Sequence, residues 1–249
     1  MSEKSEVTIL GTSGGIPIEG RAQSGILLER SDTKILFDCG MGIPLRLREA
    51  GTNAEEIDYI FLTHRHLDHI QDLPSLTKAS WLRTDQAEFT IICPPDMVDW
   101  IPEIWKCVGE SGRVDLDIKS LAPDEADIFG GLKIEAFDTP HIQGSQGYNI
   151  NGGKIVYTGD SAPNEGLKDV LNDTELLIHE LSLPMKTEIH TDPQGLIDTL
   201  GGENIKKLAL THFYPQVIEK IEIIKDMVEE KTDIETVISS DLDRYSIRT

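Results

Sequence analysis

The stretch Phe61-Leu62-Thr63-His64-Arg65-His66-Leu67-Asp68-His69 constrains this chain more than any other. The apolar run Tyr59 to Leu62 leading into it predicts a buried strand. Three histidines and an aspartate follow at once, and polar groups beside a buried strand must find partners because leaving them unpaired is costly. Imidazoles and a carboxylate at this density suit a borderline metal such as zinc. His64 and His66 can face one ion, while Asp68 and His69 can turn toward a second. The chain has seven histidines, and each can be given a place in or near such a site.

A net charge of −21, from 23 basic and 44 acidic residues, disfavours extended nucleic-acid contact, which needs a basic surface. The first residues, Met1 to Glu6, are charged and carry no signal-peptide pattern, and no apolar run reaches the ~20 residues of a membrane span. Cys39, Cys93 and Cys107 are scattered without a CxxC pair, as in a reducing cytosol. These features predict a cytoplasmic protein with no membrane partner. Residues 1–249 read as one domain, without repeats or long linkers.

The apolar pattern predicts strands at Val7–Leu10, Gly25–Glu29, Lys34–Asp38, Asp58–Leu62 and Glu88–Cys93. It adds Val114–Leu121 and Leu132–Phe137, taken as antiparallel, then a hairpin around Asn151-Gly152-Gly153 and strands at Glu175–His179, Lys207–Leu210 and Thr236–Ser239, the last of the chain. Helices are predicted at Ile43–Glu49, Gln71–Leu82, Asp96–Val108, Gly166–Leu171, Asp192–Leu200 and Pro215–Glu230. The loop Gly11 to Pro17 lacks the residues of a P-loop or dinucleotide fingerprint, so it is expected to line a site rather than cradle a phosphate. Asp38, His64, His141, Asp160, His179 and His212 all fall at or just after predicted strand ends, where ligand clefts form.

The HxHxDH motif from His64 to His69, with Asp38 before it and His141, Asp160 and His212 after it, resembles the metallo-β-lactamase superfamily. Leu10-Gly11-Thr12, Phe37-Asp38-Cys39-Gly40, Tyr157-Thr158-Gly159-Asp160, His179-Glu180 and His190-Thr191 are similar to motifs of its ribonuclease Z-like branch. The resemblance implies an α/β, four-layer αββα sandwich with two metals, zinc first, with manganese or iron as substitutes. His64, His66 and His141 would hold one ion, Asp68, His69 and His212 the other, and Asp160 both. Asp38 would orient the histidine loop. Two ions about 3.5–4 Å apart can hold a bridging hydroxide for attack on phosphorus. His190, oriented by Glu180, would give the leaving group its proton, and Asp68, His190 and Glu180 are the implied catalytic residues. His179 is expected to be a core residue. Relatives of this kind are often homodimers.

The resemblance has gaps. Only one hairpin fits between His141 and Asp160, and Gly109 to Phe129 is short and acidic, so the long transfer-RNA-gripping arm of bacterial ribonuclease Z is missing. Thr191-Asp192-Pro193 replaces a Ser/Thr-rich loop. A small phosphodiester, such as a cyclic nucleotide or a short oligonucleotide, is therefore the expected substrate. Alternatives on the same fold are transfer-RNA 3′ processing and hydrolysis of a lactone, thioester or sulfate ester. A mononuclear iron dioxygenase would use fewer metals, and flavo-diiron relatives carry Glu where this chain has His66. A non-catalytic binding module would not need all seven metal-site residues.

Overall fold

The structure, a computed structural model, describes residues 4–85, 88–110 and 112–249. The strands are β1 (Lys4–Gly11), β2 (Gly25–Arg30), β3 (Thr33–Phe37), β4 (Tyr59–Phe61), β5 (Glu88–Cys93), β6 (Asp115–Ser120), β7 (Ala126–Phe129), β8 (Leu132–Asp138), β9 (Gln146–Ile150), β10 (Ile155–Tyr157), β11 (Leu176–Glu180), β12 (Lys207–Thr211), β13 (Glu235–Ile238) and β14 (Arg244–Arg248). They form two sheets in the orders β14-β1-β2-β3-β4-β5-β6 and β13-β12-β11-β10-β9-β8-β7. The helices are α1 (Ile43–Ala50), α2 (Leu67–Ile70), α3 (Leu73–Thr84), α4 (Ile101–Cys107), α5 (Gly166–Val170), α6 (Pro193–Leu200), α7 (Pro215–Ile218) and α8 (Ile221–Thr232).

Three apolar layers hold these elements. Between the sheets lie Val7, Ile26, Phe37 and Phe61 of the first and Ile134, Tyr148, Tyr157 and Ile178 of the second. Phe61 meets Phe37 and Tyr148 with ring centroids 5.1 Å apart in each pair. Each such side chain, fully buried, contributes about 1.5–3 kcal/mol. The outer face of the first sheet packs on α1, α3 and α4 through Leu47, Leu76 and Trp105. The outer face of the second packs on α5 to α8 through Leu167, Leu200, Val217 and Val228. The result is the expected αββα sandwich. Among the described residues, no helix is long and apolar enough to cross a membrane.

Local sequence explains the helix starts. Pro44 opens α1, and Gly51 ends it at φ 95°, a left-handed position that suits glycine. Asp192 caps α6 by accepting from the Gln194 and Gly195 amides, with Pro193 in the first turn.

Several predicted elements differ. β6 is not antiparallel but pairs parallel to β5, whereas β8 is antiparallel as expected, to β7 and β9. The alternating, half-exposed pattern of β6 is that of an edge strand, which reads alike in either orientation. β7 was not predicted. It joins β8 through Gly130 and Gly131 at φ 54° and 76°, the left-handed pair that a tight hairpin needs. Thr236–Ser239 is followed by one more strand, β14, whose arginines hide its pairing with β1. The segment 215–230 is two helices broken at Lys220. Val217, Ile221, Ile224 and Val228 stay on one buried face across the break, so the periodicity reads as continuous. The segment 96–108 is likewise a 3-10 turn at Pro95–Met97 followed by α4.

β3 and β4 run parallel, as do β10, β11 and β12. Their carboxyl ends therefore deliver Asp38, Thr63, Asp160, Glu180 and His212 to one edge of the sandwich. Hydrogen bonds across the sheets close that edge: Tyr148 donates to the Leu62 carbonyl at 2.6 Å and Tyr157 to Asp38 at 2.8 Å.

Candidate metal centre

The histidine loop is held by its backbone before its side chains are considered. The Cys39 amide donates to the His69 carbonyl at 2.6 Å and the Ser24 amide to that of Asp68 at 3.1 Å. A Cβ on Gly40 would fall 2.0 Å from the Asp68 carbonyl oxygen, so only glycine lets the two segments touch. Cys39 itself is fully buried, its thiol pushed well up by burial, and is a structural neighbour of the loop. Asp38 and His212 stand at φ 58° and 59°, left-handed positions that cost non-glycine residues energy and cluster at functional sites.

All seven predicted donors converge. The ligand atoms of His64, His66, His141 and Asp160 lie within 4.8 Å of one another, as do those of Asp68, His69 and His212. Asp160 sits between the sets. Its Oδ1 is 3.2 Å from His69 Nε2 and 3.1 Å from His212 Nε2, and its Oδ2 is 3.5 Å from His141 Nε2 and 3.8 Å from His64 Nε2. Yet Asp160 Oδ1 and His64 Nε2, both buried, have no hydrogen-bond partner among the described residues. Buried polar atoms are seldom left so, and these two point where a cation would satisfy them. The donor set, nitrogens and carboxylates only, fits divalent metal.

The other ring nitrogens are tied down. His69 Nδ1 donates to Asp38 at 2.8 Å and His141 Nδ1 to the Ile189 carbonyl at 2.7 Å. His64 Nδ1 lies 3.0 Å from Thr63 Oγ1, which donates to Asp38. His66 Nδ1 is not among them: it faces His141 Nε2 at 3.0 Å, inside the donor cluster. Electrostatics agree with cation demand. Burial lowers the basicity of His69 and His212, but Asp160 beside both, with Asp38 and Asp68, outweighs it and holds them above the usual histidine range. Burial would raise Asp68, yet the His212 hydrogen bond brings it to about 2. His64 is pushed well down by burial and by His69.

His190 and Glu180 meet at the margin of the same cluster. His190 Nδ1 is 3.0 and 3.1 Å from the Glu180 oxygens, and its ring centroid lies 4.8 Å from that of His141. Burial works against a charge on His190, but Glu180 overrides it and raises its basicity. His190 Nδ1 also comes within 3.9 Å of Asp160. His179, by contrast, is buried inside β11 with Nδ1 on the Glu180 carbonyl at 2.7 Å.

Three residues escaped the sequence reading. Thr63 and Ser182 are hydroxyls whose importance lies wholly in what they bridge, and a lone hydroxyl carries no spacing signal. Tyr214, two residues past His212, lies with its ring centroid 5.9 Å from His212 and 6.0 Å from His190. Burial and the nearby Asp68 push its phenol up to about 12, so it stays protonated. The glycine-rich loop does line the site: a Cβ on Gly14 would fall 2.6 Å from the Tyr214 ring and 2.9 Å from His212 Cε1.

A family model described as Anti-Pycsar protein Apyc1 matches residues 5–230. Ribonuclease Z of Halorubrum lacusprofundi is 26% identical, over 97% of this chain and 96% of that protein. The metallo-beta-lactamase fold protein YhfI from Bacillus subtilis superposes with a TM-score of 0.84 at 22% identity, over 98% of this chain and 100% of that one. Human tRNase Z, short form (ELAC1), does so with a TM-score of 0.79 at 25% identity, again over 98% and 100%. With such a donor cluster at the strand ends and a family match running from β1 through β12, the chain belongs to the Anti-Pycsar protein Apyc1 family and, as a ribonuclease Z-like member of the metallo-β-lactamase superfamily, is a metal-dependent hydrolase.

Proposed function

We propose that the protein hydrolyses a small phosphodiester, such as a cyclic nucleotide or a short oligonucleotide, with two zinc ions. His64, His66 and His141 would hold one, Asp68, His69 and His212 the other, with Asp160 common to both. When bound, two such ions supply Lewis acidity, polarising a phosphoryl oxygen and acidifying water. The chain supplies the proton for departure. Glu180 takes Nδ1 of His190, which leaves Nε2 as the nitrogen that gives its proton to the leaving alkoxide, producing an alcohol and a neutral imidazole. Tyr214, its ring 6.0 Å from that of His190 and its phenol protonated, would donate a hydrogen bond to substrate.

The observation that carries the reading is the Glu180–His190 pair beside the two donor sets, because an alkoxide needs a proton where a better leaving group does not. The size of the substrate rests on the net charge of −21 and on the single hairpin, β9–β10, that separates His141 from Asp160. The reading takes residues 1–249 as one domain, working in the cytoplasm as a homodimer.

The ribonuclease Z likeness favours a second reading, transfer-RNA 3′ cleavage. The deciding experiment couples metal analysis with turnover of bis(p-nitrophenyl) phosphate, then pits cyclic nucleotides against a precursor transfer RNA. About two metals per chain, chelator-sensitive turnover and preference for the cyclic nucleotide support the first reading. Preference for the transfer RNA supports the second. One iron per chain without turnover overturns both.

A further inference from the structure

Two hydroxyls in this site are wired alike, and the second wire reaches further than the first. Thr63 Oγ1 donates to Asp38 and lies 3.0 Å from His64 Nδ1, while the same carboxylate takes Nδ1 of His69 directly. On the other side of the cluster, Ser182 Oγ donates to Glu180 Oε2 and lies 2.8 Å from His212 Nδ1, while Glu180 takes Nδ1 of His190 directly. Each carboxylate thus serves one imidazole by contact and another through a hydroxyl.

A serine hydroxyl has one proton, and its disposition fixes the rest. Three acceptors compete for it: Glu180 Oε2, in short contact, His212 Nδ1 at 2.8 Å if unprotonated, and the His212 carbonyl at 3.2 Å. The ionised, nearest acceptor wins, because charge-assisted bonds are roughly twice as strong as neutral ones. With its proton committed to Glu180, Ser182 can only accept from His212 Nδ1–H. His212 Nε2, 3.1 Å from Asp68 and from Asp160, is then the nitrogen left to take metal. On its remaining side Glu180 is pinned by the Ser161 amide, which donates to Oε1 at 2.7 Å. Ser182 and Glu180 are fully shielded from solvent, so water does not compete for these bonds.

We propose that Ser182 is a positioning residue that serves two histidines at once: it sets the tautomer of His212 for metal, and it anchors the Glu180 carboxylate that aims His190 at the leaving group. The proposal rests on the functional reading of His212 and His190 given above. It ties metal retention to proton donation through a single hydroxyl.

Thr and Val are near-isosteric and differ in that hydroxyl, so S182T and S182V form the test. S182V should weaken zinc retention against a competing chelator by about 10–100-fold, the usual effect of losing a partner of a metal-bound histidine. It should also steepen the fall in rate from p-nitrophenyl to alkyl leaving groups, and S182T should restore both. Unchanged zinc affinity in S182V, a wild-type leaving-group dependence in S182V, or a threonine no better than the valine would each overturn the proposal. A measurement on the unsubstituted protein needs no variant to fold. The 15N spectrum of the zinc-loaded chain should show His212 protonated at Nδ1, and a proton at Nε2 would overturn the assignment. Neither this spectrum nor the chelator competition involves a substrate, so a failure of Ser182 is distinguishable from a failure of the phosphodiester reading.

Discussion

His69 Nδ1 lies 2.8 Å from Asp38 Oδ2, with both side chains fully shielded from solvent. The same carboxylate accepts from the Thr63 amide, the Thr63 hydroxyl and the Tyr157 phenol. An asparagine has one acceptor oxygen for these four donors, and its amide hydrogens would face some of them. Asp38→Asn is therefore expected to release the histidine loop and weaken metal binding by about 10–100-fold, as read by chelator competition. Far-ultraviolet circular dichroism should stay near that of the parent, which separates loss of orientation from loss of fold.

Asp160 turns its two oxygens separately to the two donor sets. Asp160→Ala should cost metal from both sets, and metal analysis after gel filtration should find less than one equivalent retained where the parent keeps about two. Hydrolysis of bis(p-nitrophenyl) phosphate should fall with it. A variant that keeps both metals would show that the bridging position is not needed.

His190→Ala removes the proposed proton donor and leaves the seven proposed metal donors in place. Turnover of substrates with alkoxide leaving groups should drop by about 10²–10⁴, the usual contribution of general acid catalysis. Release of p-nitrophenolate, which departs without a proton, should change much less. Equal losses on both substrates would remove His190 from the proton-donor role.

Without metal, His69 and His212 hold protons more tightly than ordinary histidines, because Asp160, Asp38 and Asp68 surround them. Metal must displace those protons. The sign follows directly: binding releases protons, so affinity rises with pH and falls as the medium is acidified through the raised histidine range. Calorimetric titration with zinc in two buffers of different ionisation enthalpy should give a net proton release. Uptake, or no buffer dependence, would contradict these electrostatics.

The parts of this molecule visible in the sequence are those where one residue type repeats a pattern. The buried runs Ile35–Phe37, Ile60–Leu62 and Leu208–Leu210 announce core strands because both faces are covered. The HxHxDH spacing announces donors because histidine is scarce and clustered. What stayed hidden depends on partners far away in the chain. β14 is legible only through its pairing with β1, and Ser182 only through Glu180 and His212. The break at Lys220 leaves no trace in a pattern whose buried face runs straight through it. Hydroxyls, edges and kinks take their meaning from tertiary neighbours, whereas apolar periodicity and metal-ligand spacing are written locally.

The β14–β1 pairing also has a consequence for synthesis. β1 leaves the ribosome well before its outer neighbour, Arg244 to Arg248, with every other strand between them. Throughout elongation β1 can dock on β2 while its other edge presents unsatisfied amides and carbonyls. A nascent chain of this kind carries a sticky strand edge until Arg244 to Arg248 emerge, and a holdase acting on that edge would act early and be released late.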